Sequence, residues 1–340
     1  MSIEVQPILN EAKVSGYWES RACLVTGGAG FGGSHLVEQL VRRGAKVFVL
    51  DRFLPRNSYL RLSGLAEMVD FVTGDIRDQE LVKSLLERCE IDTVFHLAAQ
   101  PIVPMSNSLP FETLSVNALG TYAMLEAVRV ASCPKRFVFA SSAAYYGTTS
   151  TNQPIAEDEA PLVAANIYSP SKVAADSAVR CYAETYGLKA VACRFINTYG
   201  PGDANFSRII PRAIRNLVLA KPYDFGSRDD GTTCLDYLHV RDMANAYICV
   251  AEHLEAVAGH AFNFGTGETT STRDLAKLVS HVFDGQEREP IFCGPKRDKP
   301  VIKRLDVSKA EKFLGWEAST TLEHGLDETV QWYRRFWDRL

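Results

Sequence analysis

From residue 22 onward the chain alternates short runs rich in β-branched residues with longer amphipathic ones, and nothing else in the sequence restricts its fold as tightly. The order is ACLVTGG, HLVEQLVRRG, KVFVLD, FVTGD, ELVKSLLERC, TVFHLAA. Strands this uniformly apolar are buried on both faces, as in a parallel sheet covered by helices on either side. Two further helix–strand units follow, ETLSVNALGTYAMLEAVRVAS into RFVFASS and SKVAADSAVRCYAETYG into KAVACRF. The expected fold is α/β, a doubly wound parallel sheet. Past Asn197 the alternation breaks into GPGDANFSRIIP and a Gly/Asp-rich loop at 226–231. We therefore expect an N-terminal extension over 1–20, a first lobe over 21–196 with return segments near 237–264, and a smaller C-terminal α/β lobe over 197–340.

The strand ACLVT runs into GGAGFGGSHL, placing Gly27, Gly30 and Gly33 at a strand-to-helix junction. A dinucleotide needs glycines there, because the backbone turns tightly, approaches the pyrophosphate and lets the helix sit against the strand. A tight turn alone gives the same pattern, so the second strand decides. It ends at Asp51, about 20 residues on, where a carboxylate accepts hydrogen bonds from an adenosine ribose and repels a 2′-phosphate. NAD is favoured over NADP, although Arg52 beside it is able to receive such a phosphate. Asp75 and Ile76, after the third strand, are placed to meet an adenine; a capped strand end reads the same.

Tyr168 and Lys172, in IYSPSKVAAD, stand four residues apart and stack on one helix face. An ammonium beside a phenol is expected to lower the phenol pKa from about 10 towards working pH, giving a base. Many solvated helices carry such a pair by chance. Here it follows the strand RFVFASS, whose end lies at the carboxyl edge of the sheet, where ligands bind. Ser142 at that end is expected to share the substrate hydroxyl with Tyr168.

The composition sets limits on partners and compartment. A formal charge of -4 without long runs of like charge argues against nucleic acid. Eight cysteines with no CxxC read as thiols of a reducing compartment. No apolar run approaches the roughly 20 residues of a membrane span, and MSIEVQPILNEAKVSGYWES carries acids where a signal peptide is apolar. A cytoplasmic protein with no membrane partner is expected.

Taken in order, TGGAGFGGSHL, GDIRD, VFHLAAQ, VNALGT, ASSAAYYG, YSPSK, RFINTYGPGD, LDYLHVRD and LGWEASTTLEHGLDETVQWY resemble the extended short-chain dehydrogenase/reductases, in their nucleotide-sugar epimerase and dehydratase branch. The resemblance runs from residue 21 to near the C-terminus. It implies a Rossmann-like domain holding NAD and a smaller lobe holding a nucleoside diphosphate sugar. The cofactor positions it implies are Gly27, Gly30, Phe31, Gly33, Asp51, Arg52, Asp75, Ile76, Leu97, Ala98, Ala99, Asn117, Tyr168 and Lys172. Ser142, Tyr168 and Lys172 are implied as catalytic; Ser142, Asn197, Arg208 and Arg297 as substrate-binding. No metal is implied. A homodimer through the helices near 111–131 and 168–186 is implied as well, with Ala174, Ala175 and Ala178 permitting close packing.

The 4,6-dehydratases resemble this chain at the strand end except that an acid and a base stand where Ala143 and Ala144 do. Alanine moves no proton, whereas epimerases carry small residues there and need only a hydroxyl and room for a keto sugar to turn over. The expected activity is therefore NAD-dependent epimerisation, with C4 oxidised and then reduced on its other face. The alternative is a dehydratase recruiting Tyr145, Tyr146 or Glu157. A decarboxylase and a non-catalytic NAD-binding protein rank lower. Two departures stand out: GDANFSRIIPRAIR is closer to CDP-glucose 4,6-dehydratases, and Leu235 replaces an arginine that reaches the diphosphate. Arg228, Arg208 or Arg297 are candidates to compensate.

Overall fold

The computed structural model describes residues 16–133, 136–147, 152–164 and 166–340. Its centre is a seven-stranded sheet built from β1 (Ala22–Thr26), β2 (Lys46–Asp51), β3 (Asp70–Thr73), β4 (Thr93–His96), β5 (Arg136–Ser142), β6 (Lys189–Phe195) and β7 (Ala261–Phe264). Their spatial order is β7-β6-β5-β4-β1-β2-β3, and every neighbouring pair is parallel. The order reverses between β1 and β4, which opens a crevice at the carboxyl ends of those strands.

Alternation along the strands divides the core into two layers. Cys23, Val25, Val47, Val49, Phe95, Val138, Val191 and Cys193 pack on one face of the sheet. Leu24, Phe48, Leu50, Val94, Phe137, Phe139, Ala190 and Ala192 pack on the other. Both faces are apolar because both are covered, which is why the strands read as unbroken hydrophobic runs. The helix Tyr168–Tyr186 stops at Gly187, whose φ of +67° suits a residue without a Cβ.

The chain leaves the sheet after β6 and builds smaller pieces from residue 197. Asn197–Tyr199 pairs in parallel with Tyr237–His239, and Cys234–Leu235 lies between Thr270–Ser271 and Ile302–Lys303. The chain returns as the helix Val240–Glu252 and then β7, which extends the large sheet beside β6. Of the N-terminal extension expected over 1–20, residues 1–15 lie outside the described residues. Trp18 is fully buried, its indole Nε1 donating to Glu252 Oε1 at 2.6 Å. No helix among the described residues is long and apolar enough to cross a membrane.

Candidate active site

The strand ends and the C-terminal pieces enclose a cleft of about 890 Å³. At one end the chain passes from β1 into the helix Phe31–Arg42 through Gly27, at φ +71°. A Cβ on Gly27 would stand 2.7 Å from the Ala98 amide nitrogen, and one on Gly33 would collide with the Gly27 carbonyl. The helix has neither an acidic residue in its first turn nor a side-chain cap, so its N–H groups are open to an anion. Asp51 ends β2 and lines the cleft. Its carboxylate accepts from the Ala29 amide at 3.2 Å and the Arg52 amide at 2.8 Å, which ties the glycine turn to β2. Burial raises its pKa, and the two amides and the Arg52 charge oppose that rise. Arg52 lies half-open above Glu112, 3.9 Å away.

Asp75 and Ile76 line the cleft beyond β3. Asp75 is held by Arg77 at 2.7 Å, a bond that lowers its pKa. Phe31, Leu97, Ala98 and Ala99 also line the cleft. Asn117 does not. It stands behind the loop after β4, accepting from the Gln100 amide at 2.7 Å and donating to the Gln100 carbonyl and Ser171 Oγ. A π-helical turn, Ser115–Leu119, carries it there.

The two serines at the end of β5 divide their work. Ser141 donates to Asp176 Oδ2 at 2.6 Å, inside the protein. Ser142 lines the cleft with Tyr168, and its hydroxyl accepts from the Ala144 amide at 3.1 Å. Lys172 is buried, with Nζ donating to the Ala140 carbonyl at 2.7 Å and standing 6.0 Å from the Tyr168 ring centroid. This departs from the expected pairing. Burial raises the Tyr168 pKa, and the groups opposing the rise are the Ser142 hydroxyl and the Arg208 charge. The ammonium is turned to the strand end because a buried cation takes the nearest acceptor. Burial also brings Lys172 down to about 8, with Asp176 pulling the other way.

Behind this site Asp176 and Arg194 form a fully buried ion pair at 2.8 Å. The guanidinium also donates to the Tyr146 hydroxyl and the Glu157 carbonyl and lies 3.6 Å from the centre of the Tyr145 ring. The Tyr146 hydroxyl donates in turn to Asn263 Oδ1, and Glu157 Oε1 accepts from the Asn263 amide. Tyr145, Tyr146 and Glu157 are absent from the cleft lining, whereas Ala143 and Ala144 are part of it. The carboxylates lining the cleft, among the described residues, are Asp51, Asp75 and Asp203.

Towards the C-terminal pieces, Asn197, Arg208, Arg228 and Leu235 line the cleft. Arg208 bridges Asp203 at 3.1 Å and the face of Phe31, 5.9 Å from its centroid. Arg297 is drawn away instead, its guanidinium donating to Thr233 Oγ1 at 2.5 Å and standing 3.6 Å from Asp229. Sequence reasoning did not find Tyr237, whose buried hydroxyl has no partner among the described residues, or Lys303. Lys303 reaches the cleft only because Ile302–Lys303 pairs with Cys234–Leu235, a long-range register that no local pattern announces.

A glycine cradle at a helix start, a carboxylate closing the second strand and a phenol and a serine on the same cleft wall are the parts of a dinucleotide-dependent enzyme. The family model described as GDP-mannose 4,6 dehydratase matches residues 24–329, and the chain belongs to the extended short-chain dehydrogenase/reductase family of nucleotide-sugar epimerases and dehydratases. It is 34% identical over 316 residues to a trifunctional UDP-glucose 4,6-dehydratase/UDP-4-keto-6-deoxy-D-glucose 3,5-epimerase/UDP-4-keto-L-rhamnose-reductase of Arabidopsis thaliana, covering 91% of this chain and 46% of that protein. The chain thus spans about half the length of that relative. A UDP-glucose 4-epimerase of Thermotoga maritima, solved with UDP-glucose, superposes with a TM-score of 0.83 at 30% identity, covering 93% of this chain and 99% of the other. A dTDP-glucose 4,6-dehydratase of Bacillus anthracis, solved with NAD, gives 0.80 at 26%, covering 94% and 98%. NAD is the cofactor, and the glycine cradle and Asp51 fit it.

Proposed function

We propose that the protein is a nucleoside diphosphate sugar epimerase acting at C4. The observation that carries this reading is the pair Ala143 and Ala144 on the cleft wall, with Tyr145, Tyr146 and Glu157 committed to the Arg194 network behind it. Elimination of water needs an acid and a base beside the sugar. Asp51 and Asp75 lie at the adenosine end, and Asp203 is paired with Arg208.

NAD supplies reversible hydride acceptance at the sugar carbon. Gly27, Gly30 and Gly33 let the backbone approach its pyrophosphate, and Asp51 receives the ribose. Tyr168 takes the proton of the C4 hydroxyl and later returns one, Ser142 orients that hydroxyl, and the buried Lys172 holds positive charge behind the phenol. Asn197 and Arg208 sit where they meet the diphosphate, and small side chains at 143 and 144 leave room for a flat keto sugar to turn. The enzyme acts as a cytoplasmic homodimer, supported by the exposed apolar residues Phe111, Leu119 and Tyr186 on the segments expected to pair. Sedimentation velocity checks this, and a monomer at micromolar concentration refutes it.

The dehydratase reading keeps one observation in its favour, because Lys303 lines the cleft beside the Ser142–Gly147 turn and an amine is able to move a proton. Product NMR after incubation with sugar nucleotides separates the two. Inversion of one ring hydroxyl supports epimerisation, and loss of the C6 hydroxyl refutes it.

A further inference from the structure

Lys303 is a half-buried cation that the protein leaves without an acidic partner among the described residues. It stands opposite Leu235 in parallel register, and both residues line the cleft. Its ammonium donates to the Gly147 carbonyl at 3.3 Å, the one hydrogen bond it makes among the described residues. Gly147 closes the short helical turn Ala143–Tyr146 that Ser142 caps. The ammonium therefore lies at the far end of the turn that begins at Ser142, which lines the cleft with Tyr168. A single long bond to a neutral acceptor leaves two of its three donors unused. Burial pushes its pKa down and no carboxylate opposes that, whereas Arg208 in the same cleft has Asp203.

We infer that Lys303 is the counter-ion for a carboxylate on the sugar, so that the substrate class is a nucleoside diphosphate uronic acid. This rests on the nucleotide-sugar reading above and narrows it. A desolvated ammonium keeps its charge when an opposite charge arrives beside it, and an ionised acceptor bonds it about twice as strongly as a sugar hydroxyl. The neighbouring wall offers Leu235, Ala143 and Ala144, which bring no competing charge and leave space for the substituent. Oxidation at C4 sets a ketone β to that carboxylate, and the ion pair holds negative charge on the carboxylate oxygens, which opposes loss of carbon dioxide. The competing source of an anion is the diphosphate, since Lys303 pairs with Leu235, the position where the family resemblance implies an arginine that reaches it.

Titration calorimetry on the NAD-loaded protein decides between them. UDP, dTDP, CDP, GDP and ADP are compared first, then the glucose and glucuronate esters of the tightest. The glucuronate ester is expected to bind about tenfold to a hundredfold more tightly than the glucose ester, the worth of one hydrogen bond between charged groups. Lys303→Met is expected to close that gap and Lys303→Arg to keep most of it. Equal affinity of the unaltered protein for the two esters overturns the inference while the nucleotide-sugar reading stands, and this comparison does not depend on any variant folding. Equal weakening of the free nucleotide and both esters by Lys303→Met assigns the ammonium to the diphosphate and also overturns it. Failure to bind any of the five nucleotides sinks the nucleotide-sugar reading, and the inference with it.

Discussion

Replacing Asp176 by Asn strands the Arg194 guanidinium in a place closed to water. Both side chains are fully buried. The carboxylate accepts Arg194 Nε at 2.9 Å and Nη2 at 2.8 Å, and Ser141 Oγ at 2.6 Å. Asparagine keeps one acceptor oxygen and loses the charge. Removing one partner of a buried pair costs about 3–5 kcal/mol, because the other charge stays desolvated and uncompensated. Two hydrogen bonds to a charged group, at roughly 1.5–3 kcal/mol each, lead to a similar figure. Against a total stability of about 5–15 kcal/mol, this is a large fraction. Urea unfolding of the purified protein followed by tryptophan fluorescence measures it. The control is the double variant Asp176→Leu/Arg194→Met, which leaves neither charge stranded and is expected to cost clearly less than the sum of its two single variants. The substitution also removes the charge that raises the Lys172 pKa, so Lys172 titrates below its present value of about 8. A loss below about 1 kcal/mol for Asp176→Asn, or strict additivity in the double variant, refutes the reasoning.

Gly33→Ala forces a Cβ against the Gly27 carbonyl, so the purified variant is expected to retain little NAD, measured by nicotinamide absorbance after denaturation; wild-type occupancy contradicts this. Tyr168→Phe removes the phenolic hydroxyl from the cleft and is expected to lower turnover by about 10²–10⁴ while NAD stays bound; an undiminished rate removes the phenol from the mechanism. Lys172 carries its proton to higher pH in the unfolded chain than in the fold, so between about 8 and its ordinary value near 10.5 the unfolded state binds more protons and stability rises with pH. Relative to Lys172→Met, unfolding free energy is expected to climb by roughly 3 kcal/mol across that window, and parallel curves for the two proteins contradict the burial argument.

What sequence revealed was what depends on local pattern. The alternation from residue 22 marked the strands because each is buried on two faces, and the glycines marked their turn because a Cβ on Gly27 or Gly33 would strike backbone. Tyr168 and Lys172 were visible as one helix face. The direction of the lysine was not, since it follows from the distance to the Ala140 carbonyl, which only the folded sheet sets. The same holds for Ser141 and Ser142, both on the cleft lining, of which Ser141 has its hydroxyl taken by Asp176. Arg194 read as part of a motif, and its burial on Asp176 beneath Tyr145 emerged only in the fold. Arg297 had the right charge in the right segment, but Asp229 and Thr233 hold it outside the cleft lining. Lys303 was hidden for the opposite reason, since nothing near it in sequence identifies Leu235 as its neighbour.

The central claim is that a phenol beside Ser142 moves one proton of one carbinol, with no other side chain drawing a proton from the ring. Turnover of a sugar nucleotide in D₂O, followed by NMR of the product, asks this of every ring position at once. The account predicts inversion at C4 with all carbon-bound hydrogens retained as protium. Deuterium at C5 together with a 6-deoxy-4-keto product contradicts it.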